Sequence, residues 1–185
     1  MRRLRYSVAM SLDGFIAGPR GEFDWIVVDP EIDFAAMYSA VSGLVMGRKS
    51  YEVFVATGGA VGPPLPTYVY SRTLPEGTSG GISIGRDPVT HVRTLKDDAE
   101  DKPLWLWGGS DLFGELAKAD LVDEVSVAVI PVILGDGIPL MPARGPHLKL
   151  QLTSHKRYAA TGTIALDYRV VRTSRPAHSG RRRTT

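Results

Sequence analysis

Apolar and polar residues alternate along this chain with two different periods. Tyr6, Val8 and Met10 occupy every second position, which predicts a strand over residues 5–10, because successive strand side chains point to opposite faces. Residues 31–40 have the spacing of a helix with one apolar face. Further strand patterns lie at residues 43–47, 67–70, 104–107 and 124–134, the last running across Pro131. This mixed order predicts a layered α/β domain.

The C-terminal part of the pattern predicts a hairpin. Leu148, Leu150 and Leu152 alternate in one strand, residues 160–162 supply a turn, and residues 163–171 form the returning strand. No internal repeat or second domain is visible. We therefore expect one domain over residues 1–173, followed by a disordered basic tail over residues 174–185.

The most informative segment joins a strand pattern to a helix pattern through two glycines. The apolar run at residues 104–107 ends at Gly108 and Gly109, and Leu112 opens a series of apolar residues at helical spacing. Ser110 stands where a helix N-cap is expected. Because a glycine turn lets a phosphate approach the unpaired N–H groups of a helix start, the pattern favours a phosphorylated ligand. The alternative is a turn that binds no ligand.

Two further strand ends carry groups suited to phosphate. Gly47 is followed by Arg48 and Lys49, and cations at a helix start are unfavourable unless an anion lies nearby. Ser71 and Arg72 follow the strand pattern at residues 67–70 with a hydroxyl and a guanidinium. Each cation alone could be an ordinary surface charge. Since ligands collect at the carboxyl ends of parallel strands, we expect the three segments to converge.

Composition excludes several classes of protein. The chain has 185 residues, 43% of them hydrophobic, which is enough for one core. No apolar run of about 18 residues or signal-peptide pattern occurs, so we expect a cytoplasmic protein without a membrane partner. Much of the net charge of +2 lies in the tail, without interleaved aromatic residues, so nucleic acid is not an expected partner. The chain has no cysteine, and its four histidines lack ligand spacing, so we expect no metal site.

Rival nucleotide-binding folds lack their motifs in this chain. Neither the Gly-x-Gly-x-x-Gly fingerprint nor a Gly-x-x-x-x-Gly-Lys-Ser/Thr loop occurs. Five other motifs follow one another instead: Ser-Leu-Asp-Gly at residues 11–14, Met-Gly-Arg-Lys at 46–49, Ser-Arg at 71–72, Trp-Gly-Gly-Ser at 107–110 and Gly-Asp-Gly at 135–137.

In this order the motifs resemble the dihydrofolate reductase superfamily, and within it the reductase domain of the bifunctional riboflavin-biosynthesis deaminase/reductase and its stand-alone relatives. The resemblance implies a three-layer α/β fold with a mixed, mostly parallel central sheet, flanking helices and a C-terminal antiparallel hairpin. It also implies NADPH as hydride donor and a pyrimidine-like or pteridine-like substrate. Because the zinc deaminase half requires cysteine ligands, only the reductase half is expected here.

The resemblance also implies roles for individual residues. The adenosine-side phosphates, including the 2′-phosphate, would be held around Gly47, Arg48, Lys49, Ser50, Ser71 and Arg72. The pyrophosphate would lie on Gly108, Gly109, Ser110 and Asp111, with Leu112 and Phe113 nearby. Gly135 and Asp136 would lie near the nicotinamide or the substrate, and Trp25 would line the substrate pocket or, alternatively, belong to the core.

The proton donor has three carboxylate candidates. Dihydrofolate reductases place a carboxylate on the first helix, and Glu31 and Asp33 straddle the corresponding distance before the Met-Gly-Arg motif. Asp13 is the third candidate, because it follows the first strand in the riboflavin-type motif. The alternative for Asp13 is an aspartate that only shapes the turn before Gly14.

Three functions remain open at this point. The favoured one is a reductase similar to 5-amino-6-(5-phosphoribosylamino)uracil reductase. The others are dihydrofolate reductase or another small-molecule reductase of this fold, and a protein that binds NADPH without catalysis. The resemblance and the apolar strand edges of the C-terminal hairpin further favour a homodimer.

Overall fold

The computed structural model describes residues 1–59 and 64–172, which form eleven strands and four helices. The strands are β1 (Leu4–Ser11), β2 (Phe15–Ala17), β3 (Gly43–Gly47), β4 (Thr67–Tyr70), β5 (Gly77–Ser79), β6 (Ile82–Gly85), β7 (Leu104–Gly108), β8 (Glu124–Ile130), β9 (Ile138–Pro139), β10 (Leu150–Arg157) and β11 (Ile164–Val170). The helices are α1 (Phe34–Ser39), α2 (Arg48–Ala56), α3 (Pro88–Asp97) and α4 (Ser110–Lys118).

One nine-stranded sheet organises the domain, with its strands in the order β10-β11-β8-β1-β7-β3-β4-β6-β5. From β8 to β6 in this order, neighbouring strands are parallel. The pairs β5–β6, β8–β11 and β10–β11 are antiparallel. Strands β2 and β9 form a separate antiparallel pair. The predicted mixed, mostly parallel sheet and the C-terminal hairpin are therefore confirmed.

Helices cover both faces of the sheet, and the pleat of each strand divides its side chains between two cores. In β3, Val45 packs with residues of α3 and α4, whereas Leu44 and Met46 pack on the opposite face. On that opposite face, Tyr38 of α1 and Phe54 of α2 belong to the core. The alternation gives the predicted three layers, with the sheet in the middle.

Several predicted elements differ from the structure at their ends, and two of them differ by three or four residues. The helix predicted over residues 31–40 spans only Phe34–Ser39, because Asp33 caps its start by accepting a hydrogen bond from the Ala36 N–H. The strand predicted over residues 124–134 ends at Ile130. Pro131 follows, and a proline has no N–H to donate to a neighbouring strand.

The predicted tail at residues 174–185 lies outside the described residues, as does the last residue of the predicted domain. Part of the glycine- and proline-rich segment after α2, residues 60–63, also lies outside them. Within the described ranges, none of the helices is long and apolar enough to span a membrane.

Candidate functional site

Three of the predicted strand ends lie side by side. Because β7, β3 and β4 are parallel neighbours, their carboxyl ends meet at one edge of the sheet. Met46 is paired with Gly108, and Gly47 with Tyr70, so the turns that begin at Gly108, Gly47 and Ser71 are adjacent. The predicted convergence of the three segments is confirmed by this register. We call these three turns the glycine half of the site.

The Gly108–Gly109 turn is tightly packed at Gly108. Gly108 has a φ of +156°, and a Cβ atom built on it would lie 2.8 Å from the Ser50 hydroxyl oxygen. A Cβ on Gly109 would lie 3.4 Å from the same oxygen, and the peptide bond between the two glycines is cis. Ser50 of α2 and the backbone of β7 therefore come into close contact at this edge.

The start of α4 is an unsatisfied helix terminus. The residue before it, Gly109, has no side chain to cap the helix. The N–H groups of the first turn therefore lack the side-chain acceptor that a capping residue would supply. Ser110 is the first helical residue and not the predicted N-cap. Its hydroxyl is buried and has no hydrogen-bond partner among the described residues. A buried polar atom without a partner is unfavourable, so this position suits an anion to which the hydroxyl can donate a hydrogen bond.

The next residues of α4 face different surroundings. Asp111 is exposed, whereas the side chains of Leu112 and Phe113 are buried, and the Phe113 ring stacks on Tyr6 at 4.0 Å. Leu112 and Phe113 therefore support the helix start from the core, and only their backbone groups can face a ligand.

The predicted cations surround the same turns. The Arg48 guanidinium donates to the Glu52 carboxylate at 2.6 Å, while Lys49 and Arg72 are exposed. Ser71 is buried, and its hydroxyl oxygen accepts from the N–H groups of residues 73 and 74 and lies 3.4 Å from the Thr73 hydroxyl. The group is thus rich in donors and in positive charge, as phosphate binding requires.

The sheet opens between β1 and β7 next to this half. The two strands are paired only at the start of β1, ending at Tyr6. Beyond it, β1 follows β8 to Ser11, whereas β7 shifts register and follows β3 to Gly108. In the described part of the chain, one side of β1 therefore has backbone groups without a strand partner. Trp105 Nε1 donates to one of them, the Ser7 carbonyl, at 3.0 Å.

On the other side of β1, away from this gap, Asp13 joins the ends of β1 and β8. Its carboxylate accepts from the Gly135 N–H at 2.8 Å and from the Leu134 N–H at 3.1 Å. The Ser11 hydroxyl donates to it at 2.7 Å. These hydrogen bonds, first the one from Ser11, lower the pKa of Asp13, so the group is ionised at neutral pH. Asp13 therefore holds the turn at residues 134–137.

The turn held by Asp13 is packed tightly against β2. A Cβ on Gly137 would lie 2.3 Å from the Ala17 carbonyl oxygen, and the strands β2 and β9 pair directly beside it. Asp136 is exposed and accepts from the Gly137 N–H. Three segments form what we call the carboxylate half of the site: the turn that contains Asp13, the turn at residues 134–137, and residues 18–33, which follow β2.

The other carboxylate candidates and Trp25 lie in residues 18–33. Glu31 is exposed and forms an ion pair with Lys156 of β10 at 3.2 Å. Asp33 is exposed and caps α1. The Trp25 indole is half-buried and donates to the Glu22 carbonyl at 3.1 Å. No hydrogen bond or ion pair joins these side chains to Asp13 within the described residues, and each of the three carboxylates is held by different partners.

Sequence reasoning missed two residues of this edge. Arg86 donates to the Ser71 carbonyl at 3.2 Å and pairs with Glu76, so it braces the turn that carries Arg72. Asp29 is completely buried and accepts from Thr161, 132 positions away in the sequence. Neither residue belongs to a periodic pattern or to a motif, so no local signal indicated them. Within the described ranges, no cluster of potential ligands could hold a metal ion.

Comparison with known proteins agrees with this architecture. A model of the RibD C-terminal domain family matches residues 70–164. The uncharacterized protein YwjB of Bacillus subtilis (strain 168) is 32% identical over 164 residues, covering 82% of this chain and 89% of YwjB.

Two solved structures are similar in fold. A diaminohydroxyphosphoribosylaminopyrimidine deaminase/5-amino-6-(5-phosphoribosylamino)uracil reductase from Thermotoga maritima superposes with a TM-score of 0.66 at 15% identity, covering 92% of this chain and 57% of that one. Dihydrofolate reductase from Enterococcus faecalis, complexed with NADP(H), superposes with a TM-score of 0.62 at 20% identity, covering 91% and 94% of the two chains.

Proposed function

Because the chain belongs to the RibD C-terminal domain family, we propose that it is an NADPH-dependent reductase acting on a pyrimidine-like or pteridine-like small molecule. The observation that supports this most strongly is the buried hydroxyl of Ser110, which has no partner among the described residues and directly follows the Gly108–Gly109 turn. A phosphate would satisfy this hydroxyl and the neighbouring helix N–H groups together. The residues present therefore fit a phosphorylated cofactor.

In this proposal the glycine half holds the cofactor. Ser110 and the N–H groups at the start of α4 bind the pyrophosphate, and Arg48, Lys49 and Arg72 bind the adenosine-side phosphates. A guanidinium and a serine hydroxyl at Ser71–Arg72 suit a 2′-phosphate, which distinguishes NADPH from NADH. Bound NADPH would supply the hydride.

The gap between β1 and β7 completes the proposed site. The unpaired backbone groups of β1 can hydrogen-bond a planar amide-bearing ring, and the walls of the gap orient two stacked reactants. Residues of the carboxylate half would then cover the substrate and exclude water.

Asp13, Glu31 and Asp33 are each engaged in a structural contact, which argues against a carboxylate as the proton donor. An ionised Asp13 is a poor acid at neutral pH. We propose that Asp13 orients the turn at residues 134–137 and that water delivers the proton. Because these three carboxylates are held in structural contacts, a second candidate function is a protein that binds NADPH without catalysis.

Calorimetry with NADPH and NADH tests the cofactor assignment, and we expect NADPH to bind more tightly. Equal affinities would contradict the assignment to a 2′-phosphate site. Catalysis is tested by following NADPH oxidation with dihydrofolate, the phosphoribosylaminopyrimidine of riboflavin synthesis and cyclohexenone. NADPH binding without oxidation of any of the three would favour the non-catalytic candidate.

We also propose that the protein is a homodimer, with β10 as the pairing edge. All residues of β10 are exposed, and Leu152 is 50% exposed on this outermost strand. An open, partly apolar edge invites another strand. Light scattering is expected to give twice the chain mass of 20.1 kDa, and a monomer at micromolar concentration would contradict this.

A further inference from the structure

The burial pattern of residues 27–29 is inverted. Val27 and Val28 are 57% and 53% exposed, whereas the carboxylate of Asp29 between them and α1 is completely buried. Burying a carboxylate is costly unless hydrogen bonds replace those it makes to water, so Asp29 needs hydrogen-bond donors around it. Asp29 belongs to residues 18–33, which we call the β2–α1 loop.

The buried carboxylate of Asp29 is satisfied by donors from two segments. One oxygen accepts from the Glu31 N–H at 3.0 Å, within the loop. The other accepts from the Thr161 hydroxyl at 2.9 Å and from the Thr161 N–H at 3.1 Å. The Thr161 hydroxyl oxygen also lies 2.9 Å from that of Thr163, which is fully buried. Asp29 therefore fastens the β2–α1 loop to the turn between β10 and β11.

This turn lies at the same edge of the sheet as the candidate site. Since β11 runs antiparallel to β8 and Ile164 pairs with Val129, the turn that precedes β11 stands at the carboxyl end of β8. A Cβ on Gly162 would lie 3.4 Å from the Pro131 ring. The residue after Pro131, Val132, accepts from the Leu12 N–H, next to Asp13. The fastening point thus belongs to the carboxylate half and not to the glycine half.

A second contact between the same segments is weaker. The ion pair of Glu31 with Lys156 is more than half exposed on both sides, and such pairs contribute little in water. The buried, triply hydrogen-bonded Asp29 is the stronger tie. The backbone N–H of Glu31, together with Thr161 and the charge of Lys156, lowers the pKa of Asp29, so the accepting form is present at neutral pH.

We propose that Asp29 is a positioning residue, which holds the β2–α1 loop, the loop that carries Trp25, against the β10–β11 turn and so sets the shape of the carboxylate half. The assignment of a substrate to this half rests on the proposed function. Loss of the tie should loosen the loop and weaken substrate binding, while the cofactor turns at Gly108 and Ser71 stay intact.

Four variants test the tie. Asp29→Asn replaces one accepting oxygen by an amide that faces the donors of Glu31 and Thr161, and Thr161→Val removes the hydroxyl at nearly constant volume. Thr161→Ser keeps the hydroxyl. Thr153→Val is the matched control, because the Thr153 hydroxyl donates within the same hairpin, to the Asp167 carbonyl, and not to the loop.

Hydrogen exchange followed by mass spectrometry is measured first, because it needs no substrate. We expect exchange of residues 22–33 to accelerate about ten-fold in Asp29→Asn and several-fold in Thr161→Val, and to remain at the wild-type rate in the other two variants. Unchanged exchange in Thr161→Val, or equal acceleration in Thr153→Val, would overturn the proposal. If Asp29→Asn does not fold, the Thr161 pair still decides.

The functional readouts are the Kd of NADPH and the KM of whichever test compound the wild type reduces. We expect Thr161→Val to raise KM several-fold at unchanged NADPH affinity, and Thr161→Ser to restore wild-type KM. An equal loss of NADPH affinity would show general destabilisation and overturn the positioning role. If the wild type reduces none of the compounds, the proposed function fails, whereas exchange and NADPH affinity still decide about Asp29.

Discussion

The two halves of the candidate site are built on different principles. In the glycine half, strands β7, β3 and β4 end in turns whose positions follow from the register of the sheet. In the carboxylate half, loops are joined to one another by Asp13 and Asp29, which accept backbone and hydroxyl hydrogen bonds from distant segments. The first half is therefore as rigid as the sheet, while the second depends on a few side-chain contacts.

This difference indicates how the two halves can vary. A backbone-lined turn is sensitive to any added Cβ atom but tolerates most changes in its surroundings. A loop held by side chains can be reshaped by single substitutions. We therefore expect mutations to separate cofactor binding from substrate handling, with the largest effects at the glycines.

Gly108→Ala should have the largest effect. The new Cβ would lie 2.8 Å from the Ser50 hydroxyl, in a backbone conformation that non-glycine residues adopt only with strain of about 1–3 kcal/mol. We expect NADPH affinity to fall by about 100-fold, roughly 2.7 kcal/mol, measured by calorimetry. Gly85→Ala is the control, because its Cβ would meet nothing within 4 Å. Similar affinities of the two variants would contradict the assignment of the Gly108 turn to the cofactor.

Arg72→Ala should have the second largest effect and should separate the two cofactors. A lost charge-assisted hydrogen bond costs about 1.5–3 kcal/mol, so we expect NADPH binding to weaken about 10- to 100-fold while NADH binding hardly changes. Arg169→Ala is the control, because Arg169 of β11 lies opposite Glu124 of β8 in the strand register, at the other edge of the sheet. An equal loss for NADPH and NADH would place Arg72 away from the 2′-phosphate.

Asp13→Asn tests the carboxylate half with a smaller expected effect. The amide can accept fewer of the three hydrogen bonds, so we expect kcat to fall by less than about ten-fold, with unchanged NADPH affinity. A loss of about 10²–10⁴ would instead identify Asp13 as the general acid. Glu31→Gln and Asp33→Asn should retain nearly full activity, and a large loss in either would assign the acid to that residue.

Acid should produce the smallest change, and in the carboxylate half it acts through three side chains. Hydrogen bonds lower the pKa values of Asp13, Glu22 and Asp29 in the folded protein. Their stabilisation is therefore complete above the usual carboxyl pKa of about 4 and is lost as the pH falls through the lowered values. Trp25 lies in this half. Its fluorescence is obtained by subtracting the emission of Trp25→Phe from that of the wild type. We expect the Trp25 emission to shift at a higher pH than the emission of the other tryptophans, which Trp25→Phe reports directly. A simultaneous shift would contradict separate behaviour of the halves.

The glycine half could be predicted from the sequence, because its signals are local. An apolar run that ends at Gly108 and continues into helical spacing contains both the strand and the turn, and Gly47 repeats the pattern. Because parallel strands end at the same edge of a sheet, the sequence also predicted that the three turns lie side by side. The pattern could not distinguish an N-cap from a first helical residue at Ser110, since the two differ by one position.

The carboxylate half could not be predicted, because its contacts join residues far apart in the sequence. Asp13 and Gly135 are 122 positions apart, and Asp29 and Thr161 are 132 positions apart. No periodicity encodes such a pair, and an aspartate before a glycine is equally typical of an isolated turn. The roles predicted for Asp13, Glu31, Asp33 and Trp25 stay predictions for the same reason.

The gap between β1 and β7 has a consequence for divergence within this fold. Its rim consists of main-chain groups, which are the same whatever side chains the strand carries. A rim of main-chain groups survives extensive replacement of amino acids, provided that the sheet keeps its order. The Thermotoga maritima enzyme shows how far sequences diverge within this fold, because it superposes at 15% identity. Substitution can then accumulate in the loops around an unchanged framework, and new specificities can arise without a new architecture.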